Sequence, residues 1–305
     1  MPLLKQFIVA VFFPLACLLL SFFLIFVIVK LRQRAIQQSG RFTPLTRDLL
    51  RPPGHSLRLK LSELELDWSG YLAMLLILPF AMVAMYFVNA PADGPAAWWH
   101  DVSYGLLTLL AATFLGHNSY LVLSKVHRLQ IGLDGEMFVG EELNQLMLTG
   151  CRVYHDLPCD HGNIDHVVVS PTGVYSINTK MRGKPEKGAG KANLEVDFTT
   201  EKLHFPNGVF PLPGDQVRGE ARWLYHYLSS AVGWQVKVNP VLAYPGWYIQ
   251  RTGQCDVRVI NPFRAEGLFL KGQAVYSAEQ IQQIAHQLEQ LCRNISPSCQ
   301  RPANW

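Results

Sequence analysis

Phe7 to Val29 is a run of 23 residues without one charged side chain. A helix needs about 20 apolar residues to cross the hydrocarbon core of a bilayer. The run therefore predicts a transmembrane helix over 7–29. Its length, and the basic residues after it, argue against a cleaved signal peptide. Two more spans are expected, over 71–90 and 102–123. Pro79 inside the first of these is tolerable in a membrane helix. Trp68, Tyr71, Trp98 and Trp99 flank the pair, where interfacial aromatics collect. Residues 1–129 thus read as an all-α membrane region.

Charge divides the chain at the same place. Residues 1–129 hold 11 Lys and Arg against 6 Asp and Glu, a net +5; residues 130–305 hold 16 against 17, a net −1. The basic balance belongs to the apolar half, so it argues little for nucleic-acid binding by the rest. Eight cations, from Lys30 to Lys60, lie between the first two spans, whereas residues 91–101 carry Asp93 and Asp101 and no cation. The positive-inside rule then puts the first loop in the cytoplasm. The expectation is a multi-pass protein of the inner (plasma) membrane, amino terminus outside and everything after Lys125 cytoplasmic. None of the six cysteines forms a Cys-x-x-Cys pair, which suits reduced thiols in a cytosolic domain.

From residue 130 the pattern becomes that of an α/β domain extending to about 295, with a flexible tail over 296–305. Leu133-Asp134-Gly135 reads as a turn. Helices are expected over 136–148, 216–228 and 278–292 from their apolar spacing. Strands are expected over 152–156, 164–170, 174–178, 236–242 and 257–260, with a hairpin over 194–198 and 202–205. Such an order gives a mixed sheet flanked by helices.

Ile164 to Lys180, IDHVVVSPTGVYSINTK, carries the chemistry. Pro171-Thr172-Gly173 turns one apolar strand onto the next, which brings Asp165 and Lys180 to the same end of the pair. Strand alternation puts Asn178 on the face of Lys180 and turns His166 away from Asp165. Phosphodiester cleavage needs hard oxygen ligands for Mg²⁺ and a cation to stabilise charge. Asp165 supplies a ligand oxygen, Lys180 the cation, and Glu141 or Glu142 on the preceding helix a second carboxylate. Lys180, Arg182, Lys184, Lys187 and Lys191 form a basic stretch suited to tracking a phosphate backbone.

Gly140-Glu141-Glu142, the run DHVVVSPTG at 165–173, and Thr179-Lys180 together resemble the nuclease-related domain (NERD), placed in the PD-(D/E)XK nuclease superfamily. The resemblance implies a restriction-endonuclease-like sheet, nucleic acid (DNA or RNA) as partner, and Mg²⁺ or Mn²⁺ as cofactor. It implies Asp165 as the metal-binding aspartate, Lys180 as the motif lysine, and Glu141 or Glu142 as the helix glutamate. Gln216, with Ala221, resembles the glutamine-bearing helix after the core. Asn178 departs from the family, which commonly has Glu there. Asn178 can serve as a neutral ligand beside Asp165 and Glu141. Alternatively a carboxylate has migrated, with Glu195 or Asp197 as candidates, or the domain binds without cutting. The leading expectation is a membrane-anchored nuclease-like hydrolase; its rival is a silent tethered module that binds nucleic acid or a protein partner.

Overall fold

The computed structural model describes residues 20–35, 43–89, 97–160, 162–187 and 192–297. Residues 7–19 of the first expected span, Lys191 and most of the expected tail lie outside the described residues. Residues 20–35 are helical (α1). Two long helices follow, α2 (His55–Val88) and α3 (Trp98–Asn144). Contacts divide the chain into two units, one built on Ser62–His127 and the other made of Thr46–Leu61 with Arg128–Pro297.

In the first unit both helices are long and apolar enough to cross a membrane. Their mean hydropathy is 2.3 and 1.5 over the most apolar stretch. Among the described residues, Leu76, Phe80, Leu109 and Phe114 are each more than half exposed. The Tyr86 hydroxyl donates to Asp101 Oδ1 at 2.7 Å, and His100 and Tyr104 pack on the Tyr86 ring. Helix α2 starts at His55 rather than Tyr71, because its polar opening turns belong to the other unit. Helix α3 runs through Leu133-Asp134-Gly135 without the expected turn. Gly135 there admits a close neighbour: a Cβ would stand 2.9 Å from Cβ of Met181.

The second unit is an α/β fold. Its main sheet has the order β10-β8-β4-β3-β2. Strands β2 (Arg152–Cys159), β3 (Gly162–Ser170) and β4 (Gly173–Thr179) are antiparallel neighbours. Strands β8 (Val238–Ala243) and β10 (Arg258–Ile260) extend the sheet in parallel with β4. The three valines of β3 divide between its faces. Val167 and Val169 pack with Leu224 and Leu228 of α4 (Gly214–Val232) and Ile284 and Leu288 of α6 (Ala278–Cys292). Val168 packs with Val139 and Leu143 of α3 and Phe269 of the short α5 (Glu266–Leu270). Helices on both faces leave the strands as continuous apolar runs. A capping box of Ser277 and Gln280 starts α6 where the sequence places it.

A second sheet, of order β7-β6-β5-β9, comes from β5 (Asn193–Asp197), β6 (Lys202–Phe205), β7 (Gly208–Pro211) and β9 (Tyr248–Thr252). The expected hairpin is its centre; β9 and β7 join it from outside the pattern. Leu194, Val196, Leu203, Phe205 and Trp247 form its core with Val217 of α4.

Thr46–Leu61, expected as a loop between membrane spans, is instead part of this unit. Strand β1 (Leu49–Leu50) pairs with β11 (Arg293–Ile295). Arg51 reaches Asp156 Oδ2 at 2.9 Å. The opening of α2 lies close on α3. A Cβ at Gly140 would overlap Pro53, and one at Gly54 would overlap Leu133. The glycine of Gly-Glu-Glu thus makes room for this segment.

Candidate active site

Asp165 lies near the start of β3 and is 7% exposed. The backbone N–H of Thr179 donates to its Oδ2 at 2.7 Å. That bond fixes the carboxylate against the end of β4, on the sheet face covered by α4. Asn178 lies on the same face and is 2% exposed. Its Nδ2 donates to Glu220 of α4, at 3.0 Å to Oε1 and 3.3 Å to Oε2. Its Oδ1 is buried without a hydrogen-bond partner.

Helix α4 brings two polar residues one turn apart to this point, while Val217, Ala221, Leu224 and Leu228 are buried. Gln216 Nε2 donates to Glu220 Oε1 at 2.9 Å, and Gln216 Oε1 accepts from Lys180 Nζ at 3.1 Å. A chain of contacts therefore runs Lys180, Gln216, Glu220, Asn178. The Lys180 backbone N–H donates to Ala243 O at 2.9 Å, which holds the residue at the end of the parallel β4–β8 pair.

Asp165, Asn178, Lys180, Gln216 and Glu220 line one cleft of about 470 Å³, with Glu136 of α3, Lys60 of α2 and Trp223 of α4. The Trp223 ring stacks on Tyr227 with an interplanar angle of 3°. Burial raises the pKa of Glu136, Asp165 and Glu220 above their ordinary values. Asp165 reaches about 7: after burial, the charge of Glu220 raises it, while the Thr179 amide and Lys180 pull it down. Glu136 reaches about 8, raised by burial and then by Asp165 and Asp156. Its Oε2 is buried without a hydrogen-bond partner. Glu220 is raised by burial against the pull of Gln216, Lys180 and Asn178.

Some expected residues lie elsewhere. Glu141 is exposed, Glu142 is half-buried, and neither lines the cleft. On a 3.6-residue turn Glu141 lies about 140° round the helix from Glu136. Glu195 and Asp197 are in β5 of the second sheet, where Asp197 accepts from Thr199 and Thr200. Arg182 packs its guanidinium 3.5 Å from the Phe210 ring centroid and 4.5 Å from that of Phe205, so it is held by aromatics rather than offered to a phosphate. Lys184 Nζ lies 5.6 Å from the Trp247 ring, and Lys187 is exposed. His166 turns away from Asp165, and its Nδ1 meets Nδ1 of His155 at 2.9 Å on the far side of the sheet.

Four ionisable cleft residues are not expected from the sequence: Glu136, Asp215, Glu220 and Lys60. Glu220 had a signal, four residues beyond Gln216 on one helical face. Glu136 had a similar one, four residues before Gly140.

The α/β unit gathers carboxylates, an amide and a lysine at one end of a β-strand pair. Residues 131–245 match the family model described as NERD: Nuclease-related domain. A nuclease-related domain is thus found there, and every cleft residue named above lies within it except Lys60. No curated protein and no solved structure matches the chain.

Proposed function

We propose that the chain is a membrane-anchored nuclease that hydrolyses phosphodiesters of DNA or RNA with Mg²⁺ or Mn²⁺. The observation that carries the reading is the contact between Asn178 and Glu220. The carboxylate missing from the strand motif is supplied by α4, at hydrogen-bond distance from the position that lacks it. Glu220 takes the place of Glu195 and Asp197 as the migrated carboxylate.

The donor set fits a hard cation. Asn178 Oδ1 is a buried oxygen without a partner, and so is Glu136 Oε2. Carboxyls raised by burial and by one another are the groups that a cation would hold ionised. Among the described residues no three His, Cys, Asp or Glu side chains gather as a metal cluster by themselves, and in this reading the free Asn178 oxygen serves as a further ligand. Asp165, Asn178 and Glu220 would hold the ion, with Glu136 beside them. A divalent cation supplies a Lewis acid and a water of lowered pKa. The chain's own residues do the rest. The Thr179 amide keeps Asp165 in place, Gln216 aims Lys180, and Lys180 offers positive charge to the phosphate in the transition state.

Anchoring is supported by α2 and α3, apolar over lengths that cross a bilayer. The chain leaves the α/β unit at Leu61 and returns to it at Arg128, so a hairpin of two spans puts both connections on one side. Arg47, Arg51, Arg58 and Lys60 lie on that side, which the positive-inside rule makes cytoplasmic. The site then faces the cytoplasm from a plasma membrane.

A silent tethered module that binds nucleic acid is the second reading, favoured by the neutral Asn178 at the position where the family commonly has Glu. The full chain in detergent decides between them. Mg²⁺- or Mn²⁺-dependent cleavage of single- or double-stranded DNA or RNA, lost in Lys180→Ala, is expected. Binding without cleavage on all of these substrates would leave the tethered module.

A further inference from the structure

We infer that Lys60, in the segment of α2 that precedes its apolar stretch, is a substrate-binding residue of the cleft and contacts a phosphate of the nucleic acid. The inference rests on the nuclease reading and extends it to a part of the chain outside residues 131–245.

Lys60 lines the cleft with Asp165, Lys180 and Glu220. Its charge reaches Glu136, on which it acts against burial. Its position is set by a buried anchor. Asp156 of β2 is 0% exposed, with φ of 50°. Its Oδ1 accepts from the Ser56 backbone N–H at 3.1 Å and from Asn163 Nδ2 at 3.0 Å. Its Oδ2 accepts from the Ser56 hydroxyl at 2.8 Å and from Arg51 Nη1 at 2.9 Å. Ser56 and Lys60 are one turn apart, so they share a face of α2. The face that Ser56 turns to Asp156 is the face on which Lys60 meets the cleft. Asn163, held by the same aspartate, lines the cleft too.

Four carboxyls line the cleft, Glu136, Asp165, Asp215 and Glu220, and they repel a polyanion. Lys180 is engaged by Gln216. Lys60 is an exposed cation on a braced helix, able to meet a phosphate with its ammonium while its stem crosses the cleft wall. A phosphate contact from one lysine contributes about one unit to the dependence of log affinity on log salt.

The test uses the full chain in detergent, a labelled oligonucleotide, and chelator to prevent cleavage. Affinity is titrated against salt. Lys60→Gln should weaken binding at low salt and flatten the slope by roughly one unit, with the unfolding temperature unchanged. Lys60→Arg should restore the slope. Lys202→Gln, an exposed cation on β6 outside the cleft, should leave it as in the wild type. An unchanged slope in Lys60→Gln, or an equal loss in Lys202→Gln, overturns the role of Lys60 alone. A wild-type chain that binds no oligonucleotide overturns the nuclease reading with it.

Discussion

Asp156 and Asp165 both lie between the pairs His155–His166 and Leu157–Ile164 of β2 and β3. Both are buried, and they differ in what surrounds them. Asp156 accepts from Arg51, Ser56 and Asn163; its charge is balanced and its oxygens are occupied. For Asp165 burial outweighs the Thr179 amide and the Lys180 charge, with Glu220 and Asp156 adding to it, so its pKa climbs. A satisfied buried carboxylate holds structure together, whereas one left short of partners is tense until a proton or a cation arrives. Two aspartates of one hairpin thus serve two ends, the first fastening Thr46–Leu61 to the sheet and the second opening on the cleft.

The comparison breaks most visibly at Asp156. Asp156→Ala should cost about 3–5 kcal/mol, since it strands Arg51 and frees Ser56 and Asn163. Chemical unfolding followed by tryptophan fluorescence reads this directly, and a loss under 1 kcal/mol would remove Asp156 as an anchor. A fragment starting at residue 130 should be unstable for the same reason. Asp165→Asn should act in the opposite way. Cleavage should fall at least about a hundredfold, as for loss of a metal ligand or more, while stability near neutral pH holds or rises because a desolvated charge is gone. Equal loss of fold in both variants would erase the distinction.

The two aspartates also mark what can be read from the sequence. Asp165 and Lys180 were legible because one turn between two strands fixes their relation locally. The sheet's core strands were legible for the same reason, as apolar runs separated by turn residues. Glu136, Glu220 and Lys60 come from three helices, and only tertiary packing brings them to the strand end. Glu141 stands beside the recognisable Gly140, which admits Pro53, and does not line the cleft. Asp156 gave no signal, since its partners lie about a hundred residues away in a segment whose cations looked like topology determinants. The second sheet was half legible: β9 joins it from across the chain, and no periodicity announces that.

A smaller effect sharpens the account of Asn178. Asn178→Glu restores the usual family residue, yet it sets a carboxylate against Glu220 where an amide now donates. Two like charges at that distance in a buried site oppose each other strongly, so cleavage should fall at least about tenfold. Adding Glu220→Gln to the same chain should recover most of it, because the helix then supplies the amide and the strand the carboxylate. Full activity in Asn178→Glu alone would show that Glu220 is no ligand. Recovery only in the double variant would show that the two positions share one charge.

The smallest expected effect is a slope of stability with pH, and its sign separates the cleft from the opposite side of β3. Asp165 and Glu136 have folded pKa values of about 7 and about 8, above their unfolded values. The folded chain keeps those protons when the unfolded chain has lost them. Their stabilisation is therefore fully present below the unfolded carboxylate pKa and lost progressively as pH rises from there through the folded values of about 7 and about 8. His155 is pushed down to about 4 by burial, and His166 is lowered too. Those rings stay neutral in the fold, so their contribution is present above the usual histidine pKa and lost as pH falls toward 4. The two sets oppose each other in mild acid, and above pH 7 only the cleft titrates. Without divalent metal, stability should fall by up to about 1.4 kcal/mol per pH unit for each carboxyl between the usual carboxylate pKa and its folded value, and level off above pH 8. Glu136→Gln should flatten the drop, and added Mg²⁺ should cancel it by stabilising the ionised carboxylates more at pH 8 than at pH 6. A flat profile in the metal-free wild type would mean that Asp165 is as well satisfied as Asp156.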